Sequence, residues 1–170
     1  KRQTLNNLGR YAESISYSKR ALEIDINFVQ AYGNLVDSLK AIKKYDDAYI
    51  YIKKAINLDP YKVEFQASLA DLFYRLGKID DAIITYKYAI KLNQSYYPAY
   101  INIAKILNDL ERFDEAINIY KKVIKIKPDL AITYYNLANI QKKVNKLEDA
   151  ISNYKKGLEI NPNFADAHYN

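Results

Sequence analysis

Residues 131–164 read AITYYNLANIQKKVNKLEDAISNYKKGLEINPNF, and the same design recurs at each earlier shift of 34 residues back to residue 29. Self-similarity at this period is the mark of stacked helix pairs. The chain therefore divides as a single array over 1–170. It has a partial unit at 1–28, full units at 29–62, 63–96, 97–130 and 131–164, and a stub at 165–170. Apolar residues such as Ala116, Ile117, Ile119, Tyr120, Val123 and Ile124 fall at a helical period and do not alternate as in a strand. Each unit is expected to hold a helix A over about its first 14 places and a helix B over about places 18 to 31.

The places within the unit carry the packing. At the eighth stand Val36, Ala70, Ala104 and Ala138, mostly small enough to let two helices approach. At the twentieth stand Ala48, Ala82, Ala116 and Ala150, and at the twenty-fourth Ile52, Tyr86, Tyr120 and Tyr154, so small faces large in each unit. Pro60, Pro128 and Pro162 at place 32 stop helix B, because proline cannot continue the hydrogen-bond ladder and restricts the residue before it. Ile26 and Gln94 depart from that rule. Place 15, between the helices, calls for a left-handed residue. Gly9 and Gly77 suit it and Asn145 is next best, while Lys43 and Glu111 predict turns that are strained or differently shaped.

Unit 131–164 resembles the tetratricopeptide repeat family over its whole length, and the resemblance extends over essentially all 170 residues. It implies an all-α, right-handed superhelical solenoid of antiparallel helix pairs, with helix A lining a concave groove that holds a protein or peptide. In that family, groove side chains come mainly from places 2, 5, 6, 9, 12 and 13 of helix A. The positions singled out here are Asn34, Asp37, Glu64, Asp71 and Tyr74, then Ile101, Asn102, Lys105, Tyr135, Asn136, Asn139 and Lys142, and finally Tyr169 and Asn170. Asn34, Asn102, Asn136 and Asn170 form a row broken by Ser68, whose amides could pair with the backbone of an extended segment. The alternative is that asparagine is simply common at this place. The row, with Asn161–Asn170, is similar to the arm of O-linked N-acetylglucosamine transferases. That likeness implies a second function, a substrate-recruiting arm of a larger enzyme. Asp37, Glu64 and Asp71 make the earlier wall acidic, and Lys105, Lys142 and Lys143 make the later wall basic. A ligand of both signs would suit them.

Composition narrows the field. The chain is 49% hydrophobic and 27% charged, which is ordinary for a folded domain. Without cysteine there is no disulfide, thiolate zinc site or cysteine nucleophile. No stretch approaches the roughly 18 apolar residues of a membrane span, and a cytoplasmic location with no membrane partner is expected. With no methionine even at position 1, the chain is expected to be a piece of a longer protein, whose exposed repeat ends could associate head to tail. The formal charge of +6 raises nucleic acid as a partner. However, the acidic pairs Asp46-Asp47, Asp80-Asp81, Asp114-Glu115 and Glu148-Asp149 are each followed seven residues later by lysine, as on a helix face that complements the helix dipole. Single-stranded RNA, stacking on tyrosines between lysines, is kept only as a minor alternative.

No catalytic constellation is visible, so the protein is not expected to be an enzyme. His168, the one histidine, falls at an aromatic core place. It lacks partners for a metal site or a catalytic relay, and the four glycines form no phosphate loop. The acidic pairs read as helix caps. No cofactor, metal or small-molecule substrate is expected. Asn93-Gln94-Ser95 matches a glycosylation acceptor, relevant only to a secreted chain. The carboxylate clamp used by some family members is not matched in the complete units, because place 5 holds Gly33, Ala67, Ile101 and Tyr135 and place 6 is never arginine.

Overall fold

The computed structural model describes residues 2–163, with side chains from residue 9 onward. The described residues form nine α-helices. Two compact units divide between Leu92 and Asn93. The first holds α1 (Arg2–Ile24), α2 (Val29–Ala41), α3 (Tyr45–Leu58), α4 (Val63–Arg75) and α5 (Ile79–Leu92). The second holds α6 (Tyr97–Asp109), α7 (Phe113–Ile126), α8 (Ala131–Lys143) and α9 (Leu147–Ile160). Within each unit every helix packs on the next in sequence, and α2 also reaches α4. This is the all-helical, solenoid-type arrangement of stacked hairpins. Each helix A covers places 1 to 13 and each helix B places 17 to 30, so helix B begins and ends one place earlier than its sequence pattern suggests.

The turns between A and B are alike in all four full units. Lys43, Gly77, Glu111 and Asn145 have φ of 62°, 75°, 59° and 60°. Each sits in a Schellman cap, in which its own N–H reaches back three residues and the next N–H reaches back five. Examples are Glu111 to Asn108 at 3.1 Å and Arg112 to Leu107 at 2.8 Å. Lys43 and Glu111 thus carry backbone strain, but they do not change the shape of the turn. The next residue, Lys44, Lys78, Arg112 or Lys146, opens helix B by accepting from the N–H of the place-20 alanine, as Lys44 does from Ala48 at 3.0 Å.

Three sequence expectations are corrected by this geometry. Gly9 makes no turn, because α1 runs straight from Arg2 to Ile24. Glycine permits a left-handed residue without requiring one, and here the helical ladder continues unbroken. The acidic pairs do not cap. They lie in the first turns of α3, α5, α7 and α9, and the residues before α3, α7 and α9 make no side-chain capping bond. Their contribution is charge near exposed N–H groups. Proline at place 32 is also not required to end helix B. α1 and α5 end at the same place with Ile26 and Gln94 there, and in both the residue at place 31 forms an Asx turn. Asp25 Oδ1 accepts from Asn27 N at 2.9 Å, and Asn93 Oδ1 from Ser95 N at 2.9 Å.

In the first unit, Tyr32, Leu35, Val36, Ile52, Phe65 and Leu72 make one core with Ala48 and Ala55. In the second, Ala138, Ala150 and Tyr154 pack together with Tyr135 at their edge. The alanines at place 20 are all buried. Gln66, which stands where other units carry tyrosine, is also buried, and its Nε2 donates to the Pro60 carbonyl at 3.0 Å. That bond satisfies an amide that burial would otherwise penalise.

Candidate functional site

Helix A carries the candidate residues in both units, and each unit presents its own wall. In the first, Asn34 is exposed and accepts from Gln30 Nε2 at 3.2 Å. Asp37, with 75% of its side chain exposed, and Glu64 remain open to solvent. Asp71 is committed within the wall. Lys40 Nζ from α2 lies 2.9 Å from its Oδ2 and 3.0 Å from Ser68 Oγ, and the Tyr86 hydroxyl from α5 donates to its Oδ1. With Lys40 at 21% and Asp71 at 35% side-chain exposure, this half-sheltered pair cancels much of the acidity expected there. Tyr74 is half-buried.

In the second unit Ile101 is only 8% exposed and offers little surface, so its place-5 side chain is mainly core. Asn102, Tyr135, Asn136 and Asn139 are half-buried, while Lys105 and Lys142 are exposed. Tyr135 tilts against Tyr154 with ring centroids 5.7 Å apart. A depression of about 540 Å³ brings together Lys105 and Asn108 of α6, Tyr120 of α7, and Asn136, Asn139 and Lys142 of α8. Its floor and rim also include Ile140 and Lys143. Tyr169 and Asn170, with His168, lie outside the described residues, as does most of the transferase-like segment.

Acceptors in this depression are largely spent. Asn139 Oδ1 takes the Tyr154 hydroxyl at 2.6 Å, and Asn108 Oδ1 takes Lys143 Nζ at 3.0 Å. Donors remain. Asn136 Nδ2 is buried beside the Tyr120 oxygen without a hydrogen bond of normal geometry among the described residues, and Lys105 has no ion-pair partner among them. Burial pushes the Tyr120 phenol well above the usual tyrosine range, with Asn136 opposing and nearby Asp109 adding to the rise. The phenol is therefore a neutral donor at physiological pH. Tyr154 is also raised, by burial first and then by Tyr135.

The polar contacts of the place-24 tyrosines are what the sequence reading missed. Their rings fill the core as expected, but their hydroxyls reach polar residues of helix A. Tyr86 meets Asp71 and Tyr154 meets Asn139, each pair 15 residues apart. Tyr120 stands by Asn136 of the following repeat. The sequence carried no clear signal of this, because the units with tyrosine at place 24 carry Asp71, Lys105 or Asn139 at place 9 and the unit with Ile52 carries an aspartate too. The unit with Ile52 at place 24 leaves Asp37 at place 9 in solvent.

Among the described residues there is no group of three or more potential metal ligands, and no helix is long and apolar enough to cross a membrane. Stacked helix pairs presenting a polar wall from helix A define a protein-interaction scaffold. The chain belongs to the tetratricopeptide repeat family. Its family models, described as tetratricopeptide repeat and TPR repeat, match residues 3–27, 29–62 and 63–96, then 104–145, and 131–164. A search of curated proteins returned no match. Among solved structures, MamA is similar at 26% identity with a TM-score of 0.76, over 93% of this chain and 92% of that one. TTC0263, a thermophilic TPR protein of Thermus thermophilus, gives 22% identity and a TM-score of 0.79, covering 97% and 90%. YrrB, described as a TPR protein with an unusual peptide-binding site, gives 20% and 0.70, covering 97% and 85%.

Proposed function

We propose that the chain holds an extended segment of a partner protein against the helix A faces of its repeats. The observation that carries this reading is the depression on α6, α7 and α8. Polar side chains from places 6, 9 and 12 of helix A converge there around a partly apolar floor. Pre-formed concavities with a few convergent polar groups are where ligands bind. In the second unit Asn102 and Asn136 pair with the backbone of that segment, and half-buried Tyr135 supplies the aromatic contact that tends to dominate affinity. Asp37 and Glu64, not Asp71, are the acidic groups open to a basic part of the ligand.

The test compares faces. Tyr135→Ala and Lys142→Glu should each abolish capture of partner from a lysate of the native cells. Lys121→Glu, a charge change of the same size on exposed helix B, should leave capture intact. Equal loss from all three, or none from the first two, would remove the reading.

A further inference from the structure

We infer that the outer faces of α3 and α5 in the first unit are a docking surface for a second copy of this chain, laid across them antiparallel. Both helices pack on α4. Ala48, Ile52 and Ala55 are the buried side of α3, and Ala82, Tyr86 and Ala89 that of α5. At about 100° per residue, the opposite sides carry Asp46, Ile50 and Lys53 on α3 and Asp80, Ile84 and Lys87 on α5. Ile50 and Ile84 are 55% and 64% exposed, and exposed Tyr88 widens the apolar strip on α5. One exposed apolar side chain is ordinary, but these stand at the centre of two matching stripes. In the second unit the places of Ile84 and Tyr88 are polar, with Asn118 and Lys122 on α7 and Ser152 and Lys156 on α9.

The charges decide what covers that strip. The aspartates in the first turns of α3 and α5, and Lys53, Lys54, Lys87 and Lys91 further along, have no ion-pair partner among the described residues. An acid and the lysine seven residues on are about 10 Å apart along the axis, too far for a bridge within one helix. The second unit pairs its helix B charges internally, Asp114 with Lys146 at 3.7 Å and Lys156 with Glu159 at 2.8 Å. Ile50 lies midway between Asp46 and Lys54, and Ile84 midway between Asp81 and Lys87. A two-fold axis crossing the helices at the isoleucines therefore sets the acids of each copy against the lysines of the other, with isoleucine meeting isoleucine at the centre. Such a surface is its own electrostatic complement when reversed. It lies on helix B, so copies joined through it keep their helix A walls open.

The chain contains no cysteine, so a single introduced thiol reports on a single contact. Ile50→Cys and Ile84→Cys should each form a disulfide-linked dimer on mild oxidation, because like residues meet at the axis within reach of a disulfide. Asn118→Cys, at the same place on α7, should not. Species joined through this face have twice the chain mass, which sets them apart from adducts to another protein. Sedimentation velocity is the second readout, and the parent chain should show a concentration-dependent dimer. Asp80→Lys with Asp81→Lys, and separately Lys87→Asp with Lys91→Asp, should each weaken it at least about tenfold, since every substitution counts twice across a two-fold. An equal mixture of these two variants should restore the dimer, which also shows that both are folded. A monomer at every concentration up to about 1 mM, equal disulfide formation by Asn118→Cys, or a mixture no tighter than its components would overturn the proposal. So would a monomeric chain that loses capture of another protein through Ile84→Glu, because the face would then belong to that protein.

Discussion

Lys43 and Glu111 hold backbone angles that L-residues with a Cβ adopt at a cost of roughly 1–2 kcal/mol. They do so because the Schellman cap needs a left-handed residue at that place and the flanking helices determine the rest. Lys43→Gly and Glu111→Gly should therefore each raise stability by about 1 kcal/mol, and Gly77→Ala should lower it by about as much. The last has open space around its new methyl, so only backbone strain would act. Chemical denaturation midpoints at constant slope are the check. Tyr120 gives a second residue-scale prediction. Its folded pKa lies above the unfolded value of about 10, so the folded state keeps the proton longer. Its contribution to stability is whole below pH ~10 and is lost as the pH rises from there toward the folded value. Between about pH 9 and about pH 11, Tyr120→Phe should lose less stability than the parent.

The helices themselves were legible because their period and their place-20 alanines repeat without a gap. Their edges were less so. The Asx turns at Asp25 and Asn93 end helix B where proline is missing, and proline at the other units drew attention away from that shared mechanism. The straight course of α1 through Gly9 was not legible either, since glycine is compatible with both a turn and a helix. For the wall, the helix and the places came from the family resemblance alone. It could not tell that Asp71 is paired with Lys40 and hydrogen-bonded by Tyr86, because those contacts join three different helices. Gly157 tests the packing description. It lies within α9, where an added Cβ would sit 3.5 Å from the Ala131 carbonyl oxygen and 3.7 Å from Tyr134 Cβ, ordinary contact distances. Gly157→Ala should stabilise by about 0.5–1 kcal/mol through helix propensity. A loss of stability in thermal melts would mean that α8 and α9 pack more tightly than described.

For the molecule as a whole, the net charge of +6 describes its average surface and says little about what it binds. Lysines on helix B belong to faces balanced by the acidic first turns, whereas Lys105 and Lys142 stand on helix A at the edge of the depression. A partner attracted by overall charge would contact both faces alike. A partner segment held in the groove would not. Site-specific photo-crosslinking in the native cells separates these directly, with a benzoylphenylalanine placed at Asn34, Lys105 or Lys142 on helix A, or at Lys53, Lys121 or Lys155 on helix B. Discrete adducts with the same partner from the helix A positions, and none from helix B, are the predicted result. Adducts from helix B alone, or equally from both faces, would contradict the groove as the working surface.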